Sequence, residues 1–292
     1  MSRILITGAT GFLGSYFFRF LQDKGYETYG TSLTRGSDRI KLCNLENLSH
    51  VKSVMGDVKP DVVIHCAAIA GVTSYQSGKY YMTNVIGAEN VIQTAVSVGA
   101  KRFIHISTAG VYGNQDSELL IETLCPKPVH HYGMSKFCSE RLVLNYKNDI
   151  NISIVRPFNI IGKGQNNTFV VPKLVNAFKN GEKSIKLGNI DVYRDYIDVR
   201  DSVRFVYNMI ENPDSYNQTV NLCAGRATSI RDLLQELQAL TGHEVKVSVA
   251  SEFVRKNEVW RLLGDSSKLK SLIGENFNIL PIRDTLKNML QS

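Results

Sequence analysis

Two rhythms of apolar and polar residues alternate along the first half of the chain. Ile4 to Ile6, Asp61-Val62-Val63-Ile64-His65, Arg102 to Ser107 and Ile152 to Val155 are short apolar runs, as in strands buried on both faces. Glu27 to Thr31 suits one more. Between them, Phe12 to Lys24, Lys79 to Val98 and Tyr132 to Tyr146 read as helices, the second closed by Gly99. Strands and helices in alternation predict an α/β fold with a doubly wound parallel sheet. After Gly162 the rhythm changes. Phe169 to Lys179 reads as a helix, Arg194 to Ile210 contains another, and Ser229-x-x-Asp232 opens a third that stops at Gly242. The Gly/Asn-rich segment Gly162 to Asn167 marks the expected boundary, and no internal repeat or low-complexity tract is present.

The joint between the first strand and the first helix carries chemistry. Ile4 to Gly14 reads Ile-Leu-Ile-Thr-Gly-Ala-Thr-Gly-Phe-Leu-Gly. Of three glycines so spaced, one allows a sharp turn, one lets backbone approach a pyrophosphate, and one lets helix and strand pack closely. The helix N-terminus then aims unpaired N–H groups at the anion. Gly8, Gly11 and Gly14 are therefore candidate dinucleotide contacts, and the sheet is expected to be a Rossmann fold. Residues 1–162 would be the dinucleotide-binding domain, with 191–221 returning to it. Residues 163–190 and 222–292 would form a smaller, mostly α substrate lobe.

Tyr132 and Lys136 are four residues apart at the start of a predicted helix, so both project from one face. Thr108 follows a strand, on the edge where such sheets bind ligands. A tyrosine with a reference pKa of about 10 needs help to exchange a proton near neutrality, and a neighbouring ammonium favours its phenolate. Thr108 would hold a carbonyl oxygen beside the phenol, with Ser107 as a second hydroxyl, while a nicotinamide delivers hydride to carbon. His130 and His131 are adjacent and cannot share a helix face.

These segments together resemble the extended short-chain dehydrogenase/reductase superfamily (the NAD-dependent epimerase/dehydratase family) over essentially the whole chain. Within it they are most like the GDP-6-deoxy-4-keto-mannose reductases and related 4-keto-sugar reductases. Thr7 to Gly14 matches the cofactor loop, so the resemblance adds Thr10, Phe12 and Leu13 to the glycines. His65-Cys66-Ala67-Ala68 matches a segment passing the cofactor, implicating Ala67 and Ala68. Asn44, with Leu45, stands where the family often has an aspartate beside adenine. Ser107 to Gly113 and Tyr132-Gly133-Met134-Ser135-Lys136 match the catalytic motifs, so Thr108, Tyr132 and Lys136 are the implied catalytic set. Arg156 to Gln165 resembles a sugar-diphosphate segment, and Arg194 to Asp201 a run whose arginine holds phosphate. Arg255-Lys256-Asn257-Glu258 resembles an Arg-Pro-x-acid segment with lysine replacing proline. The implied substrate contacts are Thr108, Asn159, Val171, Arg194, Arg255 and Glu258.

Three local features refine this expectation. The 4,6-dehydratases of the family carry an acidic pair after the Ser/Thr, whereas Ala109 and Gly110 stand here and can neither give nor take a proton. No acid lies between Glu27 and Asp38, and Ser32 followed by Arg35 suits a 2′-phosphate. NADP(H) is therefore favoured, with NAD(H) as the alternative. A reductase of a nucleotide-linked 4-keto-6-deoxy sugar is expected. The alternatives are a 4-epimerase that retains NAD and, further off, a dinucleotide-sensing binding protein.

Composition adds exclusions. The net charge is +7, but the cations are interspersed with acids rather than gathered into a nucleic-acid stripe. Cys43, Cys66, Cys125, Cys138 and Cys223 form no C-x-x-C pair, so no metal site is expected. No apolar run reaches the roughly 18 residues of a membrane span, and the chain enters a strand almost at once, so a cytoplasmic protein is expected. Val91, Ile92, Val96, Phe137, Leu142 and Val143 lie on the two helices that pair across a twofold axis in the resembled family, which implies a homodimer.

Overall fold

The computed structural model describes residues 2–71, 76–250 and 258–291. Its first six strands are β1 (Arg3–Thr7), β2 (Glu27–Ser32), β3 (Ile40–Leu42), β4 (Val62–His65), β5 (Arg102–Ile106) and β6 (Asn151–Pro157). The later ones are β7 (Asn159–Ile161), β8 (Ser184–Leu187), β9 (Tyr193–Asp198), β10 (Gln218–Leu222), β11 (Ala227–Ser229), β12 (Lys246–Val249) and β13 (Arg261–Leu262). The first helices are α1 (Phe12–Asp23), α2 (Leu48–Val58), α3 (Ser77–Tyr81), α4 (Gly87–Ser97) and α5 (His131–Val143). They are followed by α6 (Val170–Lys179), α7 (Val199–Ile210), α8 (Ile230–Thr241), α9 (Ser267–Ile273) and α10 (Ile282–Leu290).

Seven strands form one sheet in the order β10-β6-β5-β4-β1-β2-β3, all parallel. The order reverses between β1 and β4, which opens a crevice at their carboxyl ends. The two-residue period of a strand divides each apolar run between two cores. Ile4 and Ile6 pack with Phe17 of α1, Val206 of α7 and Leu269 of α9, whereas Leu5 packs with Met55 of α2 and Ile92 of α4. This is the doubly wound Rossmann architecture expected from the apolar runs. A third core gathers α6, α8 and α10 with residues of β8 and β9. The Ser229–Asp232 capping box forms at α8, and Gly242 ends that helix with φ +67°.

Two expectations need correction. The stretch expected as one regular helix from Lys79 to Val98 is α3, a π-helical turn Met82–Ile86, and α4. On that turn the fully buried Asn84 accepts from Ile69 N–H (2.8 Å) and donates to Ile69 O (3.1 Å) and Ser135 Oγ (3.0 Å). A buried amide must find such partners, and the turn carries the side chain that makes them. The apolar residues offered for a dimer face fare differently. Val91, Ile92 and Val143 are wholly buried in this chain's own core, and the exposed apolar residues on these elements are Met82, Ile86 and Met134.

Candidate functional site

The glycine turn holds its shape through contacts no other residue would permit. At Gly14 a Cβ would lie 2.2 Å from Gly8 O, and at Gly8, with φ +70°, it would lie 2.9 Å from Ala67 Cα. Gly11 is the N-cap of α1, with no side chain capping the helix and no acid in its first turn. The amides of Phe12, Leu13 and Gly14 precede the bond from Ser15 N–H to Gly11 O (2.9 Å) and have no place in the helical ladder. An uncapped helix end above a glycine-rich turn fits a pyrophosphate.

The ribose end is organised by Ser32. Its Oγ lies 2.8 Å from Thr10 Oγ1 and accepts from the amides of Thr34 (3.3 Å) and Arg35 (3.2 Å), tying the loop after β2 to the glycine turn. Arg39 stacks over the Tyr29 ring at 5.7 Å, while the exposed Arg35 guanidinium makes no ion pair among the described residues. Asn44 Oδ1 accepts from Glu46 N–H (3.0 Å), and Leu45 O accepts from Asn90 (2.8 Å), fixing the segment after β3. Ala67 N–H donates to Thr7 Oγ1 (3.1 Å), and Ala68 follows it beyond β4.

Thr108 caps the 3-10 turn Ala109–Val111 beyond β5, where its Oγ1 accepts from Gly110 N–H at 3.1 Å. Tyr132 of α5 stands across from it, near enough for the Thr108 hydroxyl to favour its phenolate. Burial raises the Tyr132 phenol above its ordinary pKa, and the Thr108 hydroxyl pulls the other way. One turn on, Lys136 is 1% exposed, and loss of water pushes its ammonium down to about 8 against the pull of Glu140. Lys136 Nζ lies 3.3 Å from His105 Nε2. Burial drives His65 down to about 3 and His105 well below its usual value, so both imidazoles are neutral near pH 7.

Ser107 is not the spare hydroxyl the sequence suggested. It donates to Glu140, whose carboxylate also takes two bonds from Arg156 (3.0 and 2.8 Å), and all three residues are buried. Ala109 is buried in the same region and carries no ionisable group.

Asn159, Val171, Arg194 and Glu258 line a single cavity of ≈ 300 Å³ between α6, β7 and β9. Two of these candidate ligands meet each other: Arg194 pairs with Glu258 at 3.0 Å and also donates to Val259 O at 2.6 Å. Arg255 falls outside the described residues. Sequence reasoning passed over Gln165 and Tyr196, which also line the cavity. The Gln165 Oε1 atom and the Tyr196 hydroxyl are buried there without protein partners. Their signal was present, since Gln165 ends the Arg156-to-Gln165 segment and Tyr196 follows Arg194-Asp195. Asp195 points the other way, accepting from the amides of Ala224 (2.7 Å) and Gly225 (2.9 Å).

A dinucleotide cradle and a Thr-Tyr-Lys cluster on one sheet edge define the short-chain dehydrogenase/reductase class. Residues 4–223 match the NAD dependent epimerase/dehydratase family, and the chain belongs to that family. It is 36% identical to a GDP-6-deoxy-D-talose 4-dehydrogenase of Aggregatibacter actinomycetemcomitans, over 99% of this chain and 97% of that one. It is 27% identical to a GDP-6-deoxy-D-mannose reductase of Pseudomonas aeruginosa, over 93% and 91%. The structure of RMD from Pseudomonas aeruginosa complexed with NADPH superposes with TM-score 0.87 at 25% identity, covering 100% of this chain and 98% of that one. A nicotinamide dinucleotide is thus the cofactor class. Among the described residues no helix is long and apolar enough to cross a membrane, and no group of three His, Cys, Asp or Glu side chains is placed to hold a metal.

Proposed function

We propose that the protein is an NADP(H)-dependent reductase that converts a nucleotide-linked 4-keto-6-deoxy sugar to the alcohol at C4. The observation that carries this reading is the Thr108 hydroxyl beside the Tyr132 phenol, with the buried Lys136 one helical turn away. Tyr132 donates the proton to the developing C4 alkoxide, Thr108 holds that oxygen, and the Lys136 ammonium stabilises the phenolate left behind. The bound dinucleotide would supply the hydride. Gly8, Thr10, Gly11, Phe12, Leu13 and Gly14 would hold its pyrophosphate, Ser32 and Arg35 its 2′-phosphate, and Asn44, Leu45, Ala67 and Ala68 would flank the rest.

The lobe of residues 163–190 and 222–292 would bind the nucleotide sugar. Asn159, Val171, Arg194 and Glu258 would make contacts through the cavity they line, and Arg255 would join them. The similarity to the GDP-6-deoxy-D-talose 4-dehydrogenase supports a GDP-linked 6-deoxyhexose, since that enzyme by its name acts at the same carbon. A homodimer is part of the reading, with Met82, Ile86 and Met134 as the exposed apolar residues of the pairing elements. The test is a panel of nucleotide-linked 4-keto-6-deoxy sugars scored by NADPH absorbance. Stoichiometric loss with a GDP-linked member is expected. Interconversion of nucleotide hexoses with no net cofactor consumed would establish the epimerase instead.

A further inference from the structure

Lys136 carries a charge in a place that gives it few partners. No ion pair holds it among the described residues, and Glu140 on the next turn is already committed to Arg156 and Ser107. Four groups face it. Glu140 comes from its own helix, His105 from β5, His65 from β4, and Cys66 from just beyond β4. Burial keeps the Cys66 thiol and both imidazoles neutral. The Glu140 charge is offset by the Arg156 guanidinium at 2.8 Å. His105 Nε2, 3.3 Å from Nζ, is therefore the polar atom best placed to receive an N–H of the ammonium.

The donor-only ammonium selects the tautomer of His105. Ser139 Oγ donates to Lys136 O (2.8 Å) and lies 2.9 Å from the same His105 Nε2. Its one proton can turn to that carbonyl or to Nε2, so the serine suits either tautomer. An imidazole protonated at Nε2 would turn an N–H against the ammonium. One protonated at Nδ1 presents a lone pair to the charge instead. His105 Nδ1 is buried without a partner, so this arrangement leaves its N–H unsatisfied, a cost that the charge-assisted contact at Nε2 offsets. The ring is also fixed in place, stacked on His65 at 5.3 Å between centroids and in register with it across the β4–β5 ladder.

We propose that His105 is a positioning residue for the Lys136 ammonium, accepting at Nε2 so that one N–H is anchored to the sheet and the other two stay uncommitted. This rests on the reading of Lys136 as the partner of Tyr132. It adds a role for a side chain that touches neither substrate nor cofactor. A buried imidazole too weakly basic to take the proton acts as a permanent acceptor, favouring the charged form of Lys136 where burial disfavours it.

The test is titration of Lys136 in the apo protein, followed by NMR of [ε-13C]lysine with Lys136→Met for assignment. The wild-type midpoint should lie near 8. His105→Phe keeps a stacking ring and removes the acceptor, so the midpoint should fall by about one pH unit or more. His105→Gln, whose amide oxygen replaces Nε2, should return it to within about 0.3 unit of wild type. In NADPH turnover, the loss of kcat with rising pH should begin correspondingly earlier in the Phe variant. Should His105→Phe not fold, His105→Leu gives the same comparison. Equal midpoints in a folded acceptor-less variant and wild type would overturn the proposal, as would a reduced kcat with an unmoved pH limb. The NMR arm needs no substrate, so a mistaken choice of sugar leaves it intact.

Discussion

Glu140→Ala is the sharpest perturbation of the framework behind the site. It removes the carboxylate that holds Arg156 through two bonds (3.0 and 2.8 Å) and receives the Ser107 hydroxyl. The pair is nearly dry, with side-chain exposures of 6% and 3%, so water cannot take over the stranded guanidinium. Stacking of Arg156 on Tyr112 at 4.9 Å further limits its retreat. Breaking a buried pair from one side costs about 3–5 kcal/mol. At about 2.1 cal/mol/K per residue, unfolding this chain carries an entropy of roughly 0.6 kcal/mol/K, so the melting temperature should fall by about 5–8 °C. Differential scanning calorimetry of the apo protein measures the shift. The triple variant Ser107→Ala/Glu140→Leu/Arg156→Met removes all three bonded side chains at once and should recover most of the loss, because buried pairs are often replaceable by apolar side chains of similar volume. A drop below about 2 °C for the single variant would refute the reasoning. A triple variant no more stable than Glu140→Ala would assign the loss to packing rather than to the unpaired charge.

Tyr132→Phe keeps the ring and removes the proton, so kcat should fall by about 10²–10⁴ with NADPH affinity retained, as read by turnover and by fluorescence of the bound cofactor. Near-normal turnover would remove Tyr132 from the mechanism. Arg35→Ala should weaken NADPH at least about tenfold and leave NADH nearly unchanged, because a charge-assisted bond to the 2′-phosphate is lost only from the former. Equal wild-type affinities in a direct titration would end the claim of NADP(H) preference. Multi-angle light scattering at micromolar concentration should give twice the 32.6 kDa chain mass, and a monomer mass would decide against the dimer.

The local parts of this protein are legible in its sequence. The apolar runs read as strands because a parallel strand is buried on both faces, and β1, β4, β5 and β6 lie where those runs stand. The glycine turn was readable because each glycine answers a backbone requirement local to that joint, as the 2.2 Å approach at Gly14 shows. Tyr132 and Lys136 share a face through helical spacing alone. Helix stretches were right in kind and coarser in detail. Periodicity does not reveal a π-helical turn whose purpose is to carry Asn84 to Ile69 and Ser135, the latter 51 residues away.

Tertiary structure decided who meets whom. Val91, Ile92 and Val143 turned inward because α2, the sheet and α5 close over them, a choice no single helix pattern contains. Ser107 went to Glu140, Arg194 to Glu258 across 64 residues, and Lys136 to His105 across 31. Burial sets which backbone period a segment adopts, and that is written in neighbouring residues. The partner of a buried charge depends on which strands the sheet order brings side by side, and that order exists only once the chain has folded.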